Sequence, residues 1–256
     1  MHYGFNLDLD RKDLPVSESI VDTHNNAVNE KVVSLRNYLM KDGSSISAEL
    51  IAKHLFPEVP CDVFISHSYS DQDMAIQLAY ELKQKGIIAF VDSVFWGSAY
   101  TLLRAIDKNY SKIKGSPNFY LDRCNRSAAH VYMILVGALQ RMIMQSSTLL
   151  FLNTDRSVSS KQSIQGEAMT HSPWIHMELT FSHLIWTLHQ GRYISHAGME
   201  SFGSDVPIFH TAPVEHLKVA TSSEFMSWLK ACPDRDDNQY FNAAVHDFHE
   251  QLERAS

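Results

Sequence analysis

The sequence predicts an α/β fold with a mainly parallel central sheet, because strand-like and helix-like patterns alternate along it. Short runs rich in β-branched, aromatic and other apolar residues occur at 62–66, 87–91 and 148–153. Apolar residues at helical spacing separate or follow these runs, at 71–82, 128–144 and 173–188. The run at 87–91 contains no polar residue, so we expect a strand that is buried on both faces. Strand, helix and strand in succession form a right-handed crossover between parallel strands.

Two further segments flank this region. Residues 1–60 are polar and then apolar at three- and four-residue spacings, which predicts a helical N-terminal extension with a helix that starts near Ser47. A late edge strand is expected at 206–209, and long loops near 110–127 and at 157–170. We therefore predict three parts. Residues 1–60 form the extension, residues 61–220 the main domain, and residues 221–256 a C-terminal segment of two closing helices.

The composition is that of a soluble protein. Of the 256 residues, 45% are apolar, yet no apolar run approaches the roughly 20 residues that a membrane span needs, and no leader pattern follows Met1. Three scattered cysteines are typical of a reducing compartment, so we expect a cytoplasmic protein. A net charge of -7 without a basic cluster argues against a nucleic-acid or membrane partner.

Several common chemistries lack their motifs. The chain has neither a Gly-x-Gly-x-x-Gly nor a Gly-Lys-Ser/Thr loop, which argues against a dehydrogenase or a P-loop NTPase. Its 14 histidines include no His-Glu-x-x-His arrangement, so no metal is expected. No Gly-x-Ser-x-Gly elbow supports a serine hydrolase, and we expect no bound cofactor.

Candidate binding residues follow the first predicted strand, because parallel sheets place their ligands at the carboxyl ends of strands. Ser66, His67 and Ser68 offer hydroxyl, imidazole and backbone donors for a nucleotide. The alternative is local turn formation and helix capping, and Asp71 in particular is interpreted as a helix cap.

A second group follows the next strand. Asp92 and Ser93 are polar residues at its carboxyl end, and Trp96 lies in the segment that comes after them. The indole of Trp96 would stack on a base or on nicotinamide, or would instead pack on the core as a hinge.

Two motifs in this order resemble the TIR (Toll/interleukin-1 receptor) domain family. Residues 61–97 carry an Asp-Val-Phe-Ile-Ser-His-Ser opening, an Ala-x-x-Leu-x-x-x-Leu helix and a Phe-Val-Asp strand end. Residues 172–179, Ser-Pro-Trp-Ile-His-Met-Glu-Leu, resemble the family's Ser-x-Trp-x-x-x-Glu-Leu motif. The resemblance covers about 61–212 and implies a flavodoxin-like fold.

The resemblance implies a catalytic role for Glu178, because the glutamate of this motif is the catalytic residue of TIR enzymes that cleave NAD. Trp174 lies four residues earlier on the same predicted helix, so an indole and a carboxylate face one way. A carboxylate that binds the ribose gains strength as positive charge develops on the sugar. The alternatives for Glu178 are a solvated helix carboxylate or one that caps a neighbouring loop, and the alternative for Trp174 is core packing.

The resemblance therefore predicts an enzyme with NAD as its substrate. Residues 92–97 lack the proline-containing loop of receptor and adaptor TIR domains, and the elaborated chain is similar to the TIR sensors of Thoeris anti-phage systems. Such proteins make ADP-ribose-derived signal nucleotides, cyclic or conjugated, that activate a separate effector protein, and they self-associate through TIR surfaces. Two alternatives remain, namely a non-enzymatic interaction module that works by homotypic assembly and an NAD-depleting toxin.

Overall fold

The computed structural model describes residues 3–29, 46–55, 61–158, 168–189, 209–232 and 238–255. These residues form seven strands and eight α-helices, so the predicted α/β class is confirmed. The strands are β1 Tyr3–Asp8, β2 Val63–Ser66, β3 Ala89–Val91, β4 Thr148–Leu152, β5 Met169–Thr170, β6 His210–Thr211 and β7 Lys218–Thr221. The helices are α1 Glu18–Asn29, α2 Ala48–Leu55, α3 Gln72–Gln84, α4 Ser93–Ile106, α5 Leu121–Gln145, α6 Pro173–His189, α7 Ser222–Ala231 and α8 Asn238–Ala255.

Five strands form the main sheet, in the order β3-β2-β4-β1-β7, and every pair in it is parallel. Every residue of β2 and β4 is buried, as a parallel sheet requires. Counted from β2, the first three strands lie in the order second, first, third, which is consistent with a flavodoxin-like fold.

The expectation that residues 1–60 are a helical extension is wrong for its first part. β1 lies between β4 and β7, where Phe5 is opposite both Leu150 and Lys218. Phe5 and Leu7 are buried and alternate with the polar residues Asn6 and Asp8, which is a strand pattern, but the segment of six residues was too short to stand out within residues 1–60. The helical part of the prediction is confirmed by α1 and α2.

The strand at 87–91 is also different from the prediction. β3 contains only Ala89–Val91 and is an edge strand beside β2, while Ile88 is 48% exposed. Asp62 and Ile88 remain paired just before this strand, because the Ile88 N–H donates to Asp62 Oδ2 at 2.8 Å and the Ile88 carbonyl accepts from the Asp62 N–H at 2.8 Å. An apolar run therefore indicated a strand correctly but not its position in the sheet.

Helix is present in the segment after the second predicted strand and in part of the expected loop near 110–127. Residues from Ser93 onward form α4, so the segment after the second predicted strand is a helix. The expected loop at 110–125 is a π-helical turn, Asp107–Ser111, followed by a tight bend with a bridge between Lys112 and Phe119, and α5 begins at Leu121.

The other predictions near the C-terminus have mixed outcomes. Of the expected edge strand at 206–209, residues 206–208 lie outside the described residues, and β6 follows Phe209 and pairs with β5 in a separate two-stranded sheet. Residues 159–167 of the second loop also lie outside them. The long helix after residue 173 and the two closing helices are confirmed as α6, α7 and α8.

The chain divides into two compact units. The first, residues 1–17, 60–91 and 143–256, contains both sheets, so strands from three distant parts of the sequence form one core. The second, residues 18–59 and 92–142, contains α1, α2, α4 and most of α5.

Among the described residues one helix, α5, is long and apolar enough to span a membrane by length and composition. Its most apolar stretch has a mean hydropathy of 1.2 and is 33% buried. Val131, Leu135 and Leu139 form a buried stripe at helical spacing, which is typical of a helix in a packed domain.

The position of β1 predicts a large loss of stability when Phe5 is truncated. Phe5 is 1% exposed and its ring lies 5.2 Å from that of Phe248. We expect Phe5→Ala to lower the free energy of unfolding by about 3–5 kcal/mol in urea denaturation. Phe119→Ala is the control, because that ring is 40% exposed and its loss should cost under about 1 kcal/mol. Equal effects in the two variants would contradict a β1 inside the sheet.

Candidate functional site

The carboxylate of Glu178 lies buried at the carboxyl end of β2. The Ser66 hydroxyl, on the last residue of that strand, donates a hydrogen bond of 2.6 Å to Glu178 Oε2. Ser66 is 0% exposed and Glu178 is 1% exposed. Glu178 is therefore not the solvated helix carboxylate that was the alternative interpretation.

Helix α6 brings Glu178 to this position. Its first turn holds Pro173, and the Ser172 hydroxyl accepts a hydrogen bond from the Ile175 N–H at 3.3 Å, so the start of the helix is capped. Trp174 lies in the same turn, one helical turn before Glu178, and is partly exposed. The predicted placement of both residues on one helix is confirmed.

A buried carboxylate is costly unless polar groups compensate for lost water. The hydroxyl of Ser66 is one such group, because it donates a hydrogen bond of 2.6 Å to Glu178 Oε2. The chain passes to β3 on one side of β2 and then to β4 on the other, which makes the β2 and β4 ends a topological switch point. Open α/β sheets bind their ligands at such points.

A second buried carboxylate, that of Asp71, joins the segments that follow three strands. Its Oδ2 accepts hydrogen bonds of 2.6 Å from the hydroxyls of both Ser68 and Thr154. Its Oδ1 lies 3.7 Å from a guanidinium nitrogen of Arg11 and 3.6 Å from one of Arg156. Asp71 occupies the residue before α3, but its side chain makes no capping hydrogen bond, so the interpretation as a pure cap is wrong.

The two arginines were not identified from the sequence. Each also donates a hydrogen bond to the Ser70 carbonyl, at 3.4 Å from Arg11 and 3.1 Å from Arg156. Their side chains are 48% and 56% exposed, so they border solvent. Arg156 follows a predicted strand and was within reach of sequence reasoning, whereas Arg11 follows β1, which the sequence pattern did not indicate.

The remaining predicted residues have separate positions. His67 is buried, and its Nδ1 lies 3.1 Å from the carbonyl of Ile65, while Ser68 is committed to Asp71. Asp92 and Ser93 are buried where β3 gives way to α4, in the second unit. Trp96 lies within α4, and its side chain is outside the described residues.

Helix α6 also carries histidines on the side of β6 and the segment after it. His176 Nδ1 lies 2.6 Å from the Thr211 carbonyl. His183 stacks on His216 with ring centroids 5.0 Å apart, and the Ser182 hydroxyl lies 2.8 Å from His216 Nε2. Burial, and to a lesser extent the charge of His183, lowers the pKa of His216 to about 3.

One cluster of described residues has metal-ligating atoms close together. His249, Glu250 and Glu253, all on α8, place one ligand atom each within 4.8 Å of one another. The Lys218 ammonium lies 3.0 Å from Glu253 Oε1 and already supplies a positive charge there. The hydrogen bonding and charge of Lys218 lower the pKa of Glu253, so the cluster is better described as a surface ion pair.

Comparison of the chain with protein-family models, with curated proteins and with solved structures gives no match. The functional argument therefore depends on the residues themselves.

The buried His216 predicts a specific pH dependence of stability. In the unfolded chain a histidine takes up its proton near pH 6.5, whereas folded His216 does so only near pH 3. Between these values the unfolded state binds more protons, so stability falls as the pH is lowered. Between pH 7 and pH 5, we expect the free energy of unfolding to fall by about 2 kcal/mol more in the native protein than in His216→Gln. Urea denaturation at the two pH values measures this difference. Parallel losses would show that His216 is protonated in the folded state.

Proposed function

We propose that this chain is an NAD-cleaving enzyme of the TIR type, with Glu178 as its catalytic carboxylate. The observation that carries the proposal is the buried Ser66–Glu178 hydrogen bond at the switch point of a parallel sheet. Sites of this kind suit reactions in which positive charge develops on a substrate, because a fixed anion then needs no reorganisation.

In the proposed reaction the bond between the nicotinamide nitrogen and C1′ of the ribose breaks. Its electron pair stays on the nitrogen, so nicotinamide leaves neutral, and positive charge develops on the sugar. Glu178 stabilises that charge through the ribose hydroxyls, and the hydrogen bond from Ser66 holds its carboxylate in place. An acceptor then bonds to C1′ and loses its proton. Ser66 is a positioning residue in this scheme.

The Asp71 cluster supports binding of the diphosphate. Arg11 and Arg156 bring two positive charges to one carboxylate, which leaves a net positive charge of one at the solvent border. Guanidinium groups suit phosphate oxygens because their N–H donors form a planar fork. A diphosphate would thus be held without a glycine-rich loop, and Trp174 supplies a partly exposed aromatic surface on α6 for nicotinamide or adenine.

The biological role that fits this chemistry is production of an ADP-ribose-derived signal nucleotide, cyclic or conjugated, in the cytoplasm, as in Thoeris defence. A separate effector would sense the product, and self-association would complete the site. Residues 93–96 belong to α4, so the surface for self-association would be the start of a helix rather than a loop. Mass spectrometry of the products from NAD separates the possibilities, since a defined minor nucleotide indicates signalling, exhaustion of NAD indicates a toxin, and no turnover indicates an interaction module.

The first test is Glu178→Gln. The amide is nearly the same shape but cannot balance positive charge, so we expect nicotinamide release to fall on the order of 10² or more, with thermal unfolding retained. Glu215→Gln, an exposed glutamate of the first unit, is the matched control and should keep full activity. A folded Glu178→Gln protein with normal turnover would remove the basis for the proposal.

The second test concerns the diphosphate. We expect Arg156→Gln to raise KM for NAD roughly tenfold with little change in kcat, because a charge-assisted hydrogen bond is worth about 1.5–3 kcal/mol. Nicotinamide riboside, which lacks the diphosphate, should show no such change. Arg254→Gln is the control, since that side chain is 79% exposed on α8. An equal rise in KM for both substrates would show that Arg156 does not bind the diphosphate and instead stabilises the fold through Asp71.

A further inference from the structure

The second unit contains a cavity of about 530 Å³, open to solvent, that the proposed reaction does not use. It lies among the start of α2, the π-helical turn that continues α4, and the first half of α5. Its volume is within the range of about 300–1,000 Å³ that is typical of small-molecule sites. Its apolar wall is aliphatic and consists of Ile46, Ala48, Ile51, Ile106, Val131 and Ile134.

The part of the lining that α5 contributes also contains basic residues. Arg123, Arg126 and His130 are three and four residues apart on α5, so they share one face of the helix. No described residue that lines the cavity is acidic. A basic lining is unexpected in a chain whose net charge is -7, and it selects for an anion.

Two contacts hold Arg123 in place. Its guanidinium carbon lies 4.6 Å from the centre of the Tyr120 ring, and one of its nitrogens donates a hydrogen bond of 3.2 Å to the Tyr110 carbonyl. A guanidinium has five N–H donors, so further donors are available to a ligand after this bond. An arginine that is already restrained loses less entropy on binding than a mobile one.

The π-helical turn contributes to the same arrangement. It contains Asp107, whose Oδ1 accepts a hydrogen bond of 2.9 Å from the buried hydroxyl of Ser111. The carboxylate of Asp107 is therefore already hydrogen-bonded to Ser111 in the same turn.

We propose that this cavity binds a small organic anion, in which a phosphate or carboxylate group is attached to a hydrocarbon body. The anion is bound by Arg123 and Arg126, with His130 beside them, and the body contacts the aliphatic wall. Beside the hydroxyls of Tyr110, Ser111 and Ser127, six of the described lining residues are aliphatic, which favours a hydrocarbon body. The site is separate from the Ser66–Glu178 pair and does not depend on NAD cleavage.

Isothermal titration of the full chain with 1-naphthyl phosphate tests the proposal. We expect saturable one-to-one binding, and binding at least about tenfold weaker for inorganic phosphate, which lacks the body, and for 1-naphthol, which lacks the charge. Arg126→Gln should weaken the binding of 1-naphthyl phosphate about tenfold. Arg141→Gln, an exposed arginine further along α5 and outside the lining, should not.

A second variant fills the cavity instead of removing a charge. Ala48 is exposed at the first position of α2 and lines the cavity, so Ala48→Trp should block the hydrocarbon body without disturbing the core. Glu178→Gln should bind the probe normally, which separates this result from the outcome for NAD cleavage. Absence of saturable binding by the native chain, equal binding of inorganic phosphate, or unchanged binding in both Arg126→Gln and Ala48→Trp would overturn the proposal.

Discussion

The central strand β4 is the constraint on which the main sheet depends. It pairs with β2 along one edge and with β1 along the other, and all five of its residues are buried. Its backbone groups therefore have no access to water, and only continuous parallel pairing on both sides satisfies them. This requirement aligns the carboxyl ends of β1, β2 and β4, and the residues that follow them, Arg11, Ser68 and Arg156, consequently meet around Asp71.

The candidate site combines two buried carboxylates with different surroundings. Glu178 accepts a hydrogen bond from the hydroxyl of Ser66, whereas Asp71 has two hydroxyl donors and two nearby guanidinium groups. The surroundings of Asp71 are those of a structural anchor with a cationic border. That cationic border is the physical reason for proposing phosphate binding by the two arginines, while the proposed chemistry is placed on Glu178 at the end of β2.

The sequence allowed the α/β class, the helices α3, α5 and α6 and the strands β2 and β4 to be predicted, because each has a long or strongly apolar pattern. It also identified Ser66 and Glu178, which the structure brings within 2.6 Å of each other. It did not identify β1, although Phe5, Leu7 and Leu9 alternate with polar residues as in a strand, because the segment is only six residues long and its partners are far away in the chain. Position within a sheet is a tertiary property, which is why the apolar run before Asp92 was mistaken for a central strand.

The place of β1 has a consequence for the order in which the protein folds. Tyr3 is opposite Thr148, and Phe5 is opposite Lys218, so these contacts join the early part of the sequence to residues that leave the ribosome much later. Closing loops of that length is slow, and proteins dominated by such distant pairings fold in milliseconds to seconds. During synthesis β2 and β3 can pair soon after they emerge, while the apolar β1 segment waits for β4, and the nascent chain is exposed to aggregation or chaperone binding over that interval.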